Sequence, residues 1–117
     1  MNIEEFRDYC LLKKGVTEEF PFDSDILVFK VFGKMFALTD VNSFASINLK
    51  CDPEKAVELR EQFPEVRPGY HMNKKHWNTV DVNGSLSDKQ IKAWIDDSYA
   101  LVVQSLPAKT RKELLKS

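Results

Sequence analysis

Apolar residues recur along the chain with two different periods, and the changes of period divide it into elements. Ile3, Phe6 and Cys10, with Tyr9 beside them, fall at helical spacing and mark one buried stripe. Asn2 stands where an N-cap would, and Glu5, three residues on, completes a capping box by reaching back to the cap's own N–H. Lys13 and Lys14 sit near the end, where cations oppose the negative pole of a helix, and Gly15 supplies the left-handed residue that stops it. Glu18 to Asp25 reads as a loop broken by Pro21. Strand-like runs follow. Ile26 to Phe32 is rich in β-branched and aromatic residues, and Gly33-Lys34 signals a hairpin before Met35 to Thr39. Asp40 to Ser43 turns the chain again. Phe44 to Lys50 alternates, with Ala45, Ile47 and Leu49 on one face and Ser46, Asn48 and Lys50 on the other. Period two puts Lys30 and Lys50 on the polar faces of their strands, and only the register decides whether those faces coincide.

Asp52-Pro53 opens a second helix, with an acid at the cap and proline at the first helical position. Ala56, Leu59 and Phe63 line its buried side and Pro64 ends it. Val66 to Lys75 is the least regular segment. It leads into a strand from His76 to Val82 and a turn at Asn83-Gly84. Ser87 with Gln90 forms another capping box. Ile91, Trp94, Ile95, Ser98 and Val102 mark the inner face of a helix reaching about Leu106, and Pro107 separates it from a short basic helix, Ala108 to Lys116. Hairpin-linked strands grouped together predict an α+β fold: an antiparallel sheet with helices packed on one face.

The length of 117 residues suits one domain, and the 43% hydrophobic and 30% charged fractions suit a globular chain that folds without disulfide or metal. No apolar run approaches the ~20 residues of a membrane span, and the acidic start Met1-Asn2-Ile3-Glu4-Glu5 is unlike a signal peptide. A cytoplasmic protein with no membrane association is expected. Cys10 and Cys51 have no partner motif and are expected to be reduced and buried.

The net charge of −1 runs against the strongly basic character usual in a DNA-binding domain. The charge is unevenly spread, however. The first 25 residues concentrate acids (Glu4, Glu5, Asp8, Glu18, Glu19, Asp23, Asp25), while residues 66–80 carry Arg67, Lys74, Lys75, His71 and His76 against no acid, and Lys109, Arg111, Lys112 and Lys116 crowd the C-terminus. The segment Arg67-Pro68-Gly69-Tyr70-His71-Met72-Asn73-Lys74-Lys75-His76-Trp77-Asn78 is the richest in chemistry. Its cations suit phosphates, its aromatic faces suit bases or sugars, and its amides suit base edges. A solvated hairpin anchored by Trp77 and Tyr70 is the plainer alternative. No nucleophile elbow and no glycine-rich phosphate loop is present, so no self-sufficient catalytic motif is found.

Across this segment the chain closely resembles the MmcQ/YjbR family. The resemblance is carried by residues 15–22 (Gly15 to Phe22), Val28 to Val31, Gly33 to Ala37, Asn48 to Pro53, Arg67 to Val80, and Ser98-Tyr99, and it covers nearly the whole chain. It implies a CyaY-like (frataxin-like) fold and DNA binding through a "double wing" arrangement. On that basis Lys30, Lys50, Arg67, Lys74 and Lys75 are expected on phosphates, with Asn73 and Trp77 on sugar or base and His71 and His76 beside them. About four neutralised phosphates on duplex DNA would give a salt slope near −3.6. No obligate cofactor is expected, and the chain is expected to be a monomer or weak homodimer. Two other readings remain open. The acidic first helix and loop could serve a frataxin-like partner or metal, and His71, His76 and Trp77 could border a small-molecule or enzymatic pocket. A metal held by His71, His76 and Cys51 lacks the close ligand pairs of zinc sites.

Overall fold

The computed structural model describes residues 1–70 and 72–116. Its elements are α1 (Ile3–Leu11), β1 (Val16–Glu19), β2 (Ile26–Val31), β3 (Lys34–Asp40), β4 (Ser46–Lys50), α2 (Pro53–Gln62), β5 (Val66–Pro68), β6 (Trp77–Asp81), α3 (Asp88–Ser105) and α4 (Ala108–Lys116). The strands form one sheet in the order β1-β2-β3-β4-β6-β5, every neighbouring pair antiparallel. The α+β prediction holds. Among the described residues no helix is long and apolar enough to cross a membrane.

Local chemistry sets the ends of these elements. The capping box of α1 forms in both directions, with the Glu5 N–H donating to Asn2 at 2.8 Å and the Asn2 N–H to the Glu5 carboxylate at 3.3 Å. Ser87 caps α3 by accepting from the Gln90 N–H, without the return bond. Asp52 precedes Pro53 as predicted, yet its side chain makes no cap bond. The β2–β3 turn is Phe32-Gly33 rather than Gly33-Lys34. Both residues have positive φ (46° and 81°), as a two-residue turn matched to strand twist requires.

Two strands lie where irregular chain is expected. Val16–Glu19 pairs with β2, so Glu18 and Glu19 belong to an edge strand and not to a loop. Val66–Pro68 pairs with β6 at the opposite edge. Val66–Pro68 is too short to show alternation, and Val16–Glu19 alternates only between half-buried and exposed positions, so sheet pairing decides them. Lys13 also differs from its expected role: its ammonium pairs with Asp96 of α3 and lies 4.8 Å from the centre of the Tyr9 ring.

The helices cover one face of the sheet. Phe6 and Cys10 of α1, Leu59 of α2, Ile91, Trp94, Ile95 and Val102 of α3 and Leu114 of α4 form one core with inward residues of the strands, among them Phe29, Val31, Ile47, Leu49 and Val80. Burial pushes the Cys10 thiol up to about 12. Both cysteines are free, with Cys10 buried and Cys51 half-buried. A second, smaller cluster of Val28, Leu38 and Trp77 forms on the other face.

A bulge joins the sheet to α3. Phe29 faces Ala37 while Lys30 faces Met35, so Phe36 is the extra residue of β3, and its ring is fully buried. Beyond the last paired residues of β3 and β4, Ala37 and Leu49, the buried Ser98 hydroxyl donates to the Phe36 carbonyl at 2.6 Å. It also accepts from the Lys50 N–H at 2.9 Å. One α3 side chain thus satisfies a group from each of two strands.

Ser98→Ala leaves both groups unpaired and should cost about 2–6 kcal/mol, at about 1–3 kcal/mol for each orphaned group. Chemical denaturation measures this, and a loss under about 1 kcal/mol would contradict the joint. A second prediction concerns acid. The buried Glu65 accepts the Ser85 hydroxyl at 2.6 Å and the Ser85 N–H at 3.2 Å. The hydroxyl bond foremost holds this carboxyl below its ordinary value of 4.5. The folded group binds its proton less tightly than the unfolded one. Its stabilisation is therefore complete above pH 4.5 and is lost as pH falls through the lower folded value. Ser85→Ala should flatten that part of the stability–pH curve.

Candidate functional site

The register brings distant residues into transverse rows on the helix-free face. One row crosses all six strands: Glu19, Val28, Leu38, Asn48, Thr79 and Arg67. The adjacent row contains Thr17, Lys30 and Met35 on one side of the bulge and Lys50 and Trp77 on the other. Lys30 and Lys50 therefore share a face, two strand positions apart, which is roughly 10 Å between backbones.

Between them runs a shallow groove of about 590 Å³, lined by Pro21, Phe22, Lys30, Lys34, Lys50 and Trp77, with Gly33 and Met35. No described lining residue is a carboxylate. Phe22 is 65% exposed at its edge. Lys50 makes no ion pair among the described residues. Lys30 pairs with Glu19 of the neighbouring strand, and Lys34 turns its ammonium to the Ser105 carbonyl at the end of α3, 3.3 Å away. Arg67 shares the face but pairs with Asp81. Trp77 is 7% exposed and packs with Val28 and Leu38, so its ring is chiefly an anchor of the second cluster.

The rest of the 67–77 segment is largely occupied in holding its own shape. Asn73 accepts the Lys75 N–H at 2.9 Å through its side chain, and its carbonyl accepts the N–H groups of His76 and Trp77. Lys74 directs its ammonium to the Gly69 carbonyl at 3.3 Å. Lys75 lies beside Glu54 and Glu58 of α2, away from the groove. His76 is half-buried, and its carbonyl accepts the Cys51 N–H. His71 lies outside the described residues. Among those residues no group of three or more His, Cys, Asp or Glu is placed to hold a metal.

Two contributors were not anticipated from the sequence. Phe22 stood in a segment read as a loop. Arg60 of α2 donates to the Asn78 side chain at 2.7 Å, to the Lys74 carbonyl and to the Trp77 carbonyl, pinning the β5–β6 connection to the helix. Helical periodicity marks Arg60 only as a partly exposed cation.

Several acids of the first 25 residues are also engaged. Glu18 binds Arg7 through 2.7 and 2.8 Å bonds, Glu19 pairs with Lys30, and Asp23 accepts the Asp25 and Ile26 N–H groups. Asp25 accepts from the Asn42 amide at 2.7 Å. These bonds occupy Glu18, Glu19, Asp23 and Asp25 and do not involve Glu4 or Asp8 of α1.

A six-stranded antiparallel sheet, clad by helices on one side and grooved on the other, defines a small α+β domain. A family model described as YjbR matches residues 11–101, and the chain belongs to the YjbR family. It is 40% identical over 116 residues to protein YjbR of Escherichia coli K12, described as uncharacterized, covering 98% of each chain. It is 39% identical over 95 residues to YbdF of Escherichia coli O157:H7, with 80% of this chain and 78% of that one covered. The crystal structure of Deinococcus radiodurans protein DR2400, a DUF419 domain, superposes with a TM-score of 0.89 at 39% identity, covering 97% of this chain and 87% of that one.

Gly69 tests the anchoring of the segment. A Cβ built there would lie 2.8 Å from the Trp77 Cβ and 2.9 Å from the Trp77 carbonyl oxygen. Gly69→Ala should therefore force the hairpin apart and cost roughly 1–3 kcal/mol, with altered near-ultraviolet circular dichroism from Trp77. An unchanged spectrum and stability would contradict this close approach.

Proposed function

We propose that the helix-free face binds a single strand of nucleic acid. The observation that carries this reading is the transverse row that sets Lys30 and Lys50 on either side of one groove, with the exposed Phe22 at its rim. Lys50 neutralises one phosphate, and Lys30 a second by exchanging its partner Glu19. Phe22 offers a ring face on which an unpaired base stacks. A single strand suits this arrangement better than a duplex, because stacking on a side chain requires a base free of its partner.

The charge pattern bounds the strength of binding. Arg67 is committed to Asp81, and Lys75 stands among the acids of α2. The contact therefore involves about two phosphates rather than four, and binding is modest. In this reading the chain acts by binding rather than by catalysis.

Fluorescence anisotropy with a labelled single-stranded oligonucleotide at low salt tests the proposal. Log K should fall against log salt with a slope of about −1.4, for two phosphates on a single strand. Lys50→Ala should remove about half of that slope. Phe22→Ala should weaken binding about tenfold or more, since base stacking contributes ~1–3 kcal/mol. No binding at low salt, or full binding by both variants, would overturn the proposal.

A further inference from the structure

A smaller but deeper cleft than the open-face groove lies on the other side of the molecule. α2 packs against β5 and α3 against β3 and β4, which leaves a gap between the two helices above β4 and β6. The gap holds a cleft of about 270 Å³, equal to about nine waters of liquid and thus room for one small molecule. Leu49, Leu59, Val80, Trp94 and Leu101 form its floor and walls. Asn78 adds an amide whose oxygen is taken by Arg60 and whose nitrogen faces the Ala56 carbonyl at 3.4 Å, so it adds little preference of its own.

The cleft is bordered by charged residues, Lys50 of β4 among them. Lys55 stands on α2, Asp97 on α3, and Asp52 at the start of α2 with its side chain free of any capping bond. Among the described residues Lys55 and Asp97 form no ion pair with one another or with a third group. Opposite charges thus border an apolar cavity from facing helices without closing on each other. A ligand complementary to this arrangement carries both charges on a compact head and an apolar tail.

We infer that the cleft between α2 and α3 binds a small zwitterion with an apolar side chain, of the apolar α-amino acid class. Its carboxylate meets Lys55, its ammonium meets Asp97 with Asp52 nearby, and its side chain lies against Trp94 and Leu101. Trp94 is 6% exposed and packs edge-on with Phe63, so it meets the ligand with a small part of its surface and the half-buried Leu101 supplies the rest of the wall. Lys50 of β4 borders both this cleft and the open-face groove, but Lys55 and Asp97, which the inference uses, line only the cleft, so their variants separate it from the nucleic-acid reading.

Isothermal titration calorimetry of the full chain tests this with L-phenylalanine and L-leucine as probes. Phenethylamine, which lacks the carboxylate, and 3-phenylpropionate, which lacks the amine, serve as controls. At least one amino acid should bind, with each single-charge analogue about tenfold weaker or more. Lys55→Ala and Asp97→Asn, both exposed and remote from the core, should fold normally and each weaken amino-acid binding about tenfold. Oligonucleotide binding by these two variants should be unchanged. Absence of heat with both amino acids at millimolar concentration, equal affinity for an analogue lacking one charge, or unweakened binding by both variants would overturn the assignment.

Discussion

The Ser98 hydroxyl, shared between the Phe36 carbonyl and the Lys50 amide, fixes α3 to the sheet at the point where β3 and β4 stop pairing. A helix held there covers the inner residues of the central strands and leaves the outer ones uncovered. The bulge at Phe36 is part of the same joint. It turns an additional aromatic ring into the core, where Phe36 meets Tyr99 edge-on at 5.4 Å. Lys50 lies at this joint too. Its backbone is held by α3 on one side and by the Trp77 register on the other, while its side chain belongs to the open face. Sheet, helix and groove thus meet at one small network of bonds.

The near-neutral charge becomes intelligible at the level of rows and pairs. Cations that look clustered along the chain are separated in space: Arg67 goes to Asp81, Lys30 to Glu19, and Lys75 to the side of α2. Exposed pairs of this kind contribute modestly to stability. Their larger consequence is to keep the face from carrying a strong positive field. On the opposite side, Lys55 and Asp97 border a cleft and, among the described residues, form no ion pair.

Long, strongly patterned elements could be read directly from the residues. The five inward positions of α3, the capping box at Asn2 and Glu5, and the alternation through Ile47 and Leu49 all hold. Short edge strands could not, because Val16–Glu19 and Val66–Pro68 acquire strand character only from their neighbours. The candidate site divides along the same line. Period two placed Lys30 and Lys50 on polar faces, but their meeting in one row depends on the register and the bulge, which no local pattern encodes. The density of cations and amides between Arg67 and Asn78 pointed to a surface function, whereas much of that chemistry serves to fold the hairpin. Trp77, chosen as a contact residue, is an anchor, and the exposed ring at the groove belongs to Phe22.

Backbone amide chemical shifts, followed through a titration with a short single-stranded oligonucleotide, test most directly whether the open face is the functional one. The account predicts changes concentrated at Phe22, Lys30, Met35, Asn48 and Lys50, with the outer surfaces of α1 and α4 silent. Changes confined to the helices, or none at saturating oligonucleotide and low salt, would contradict it.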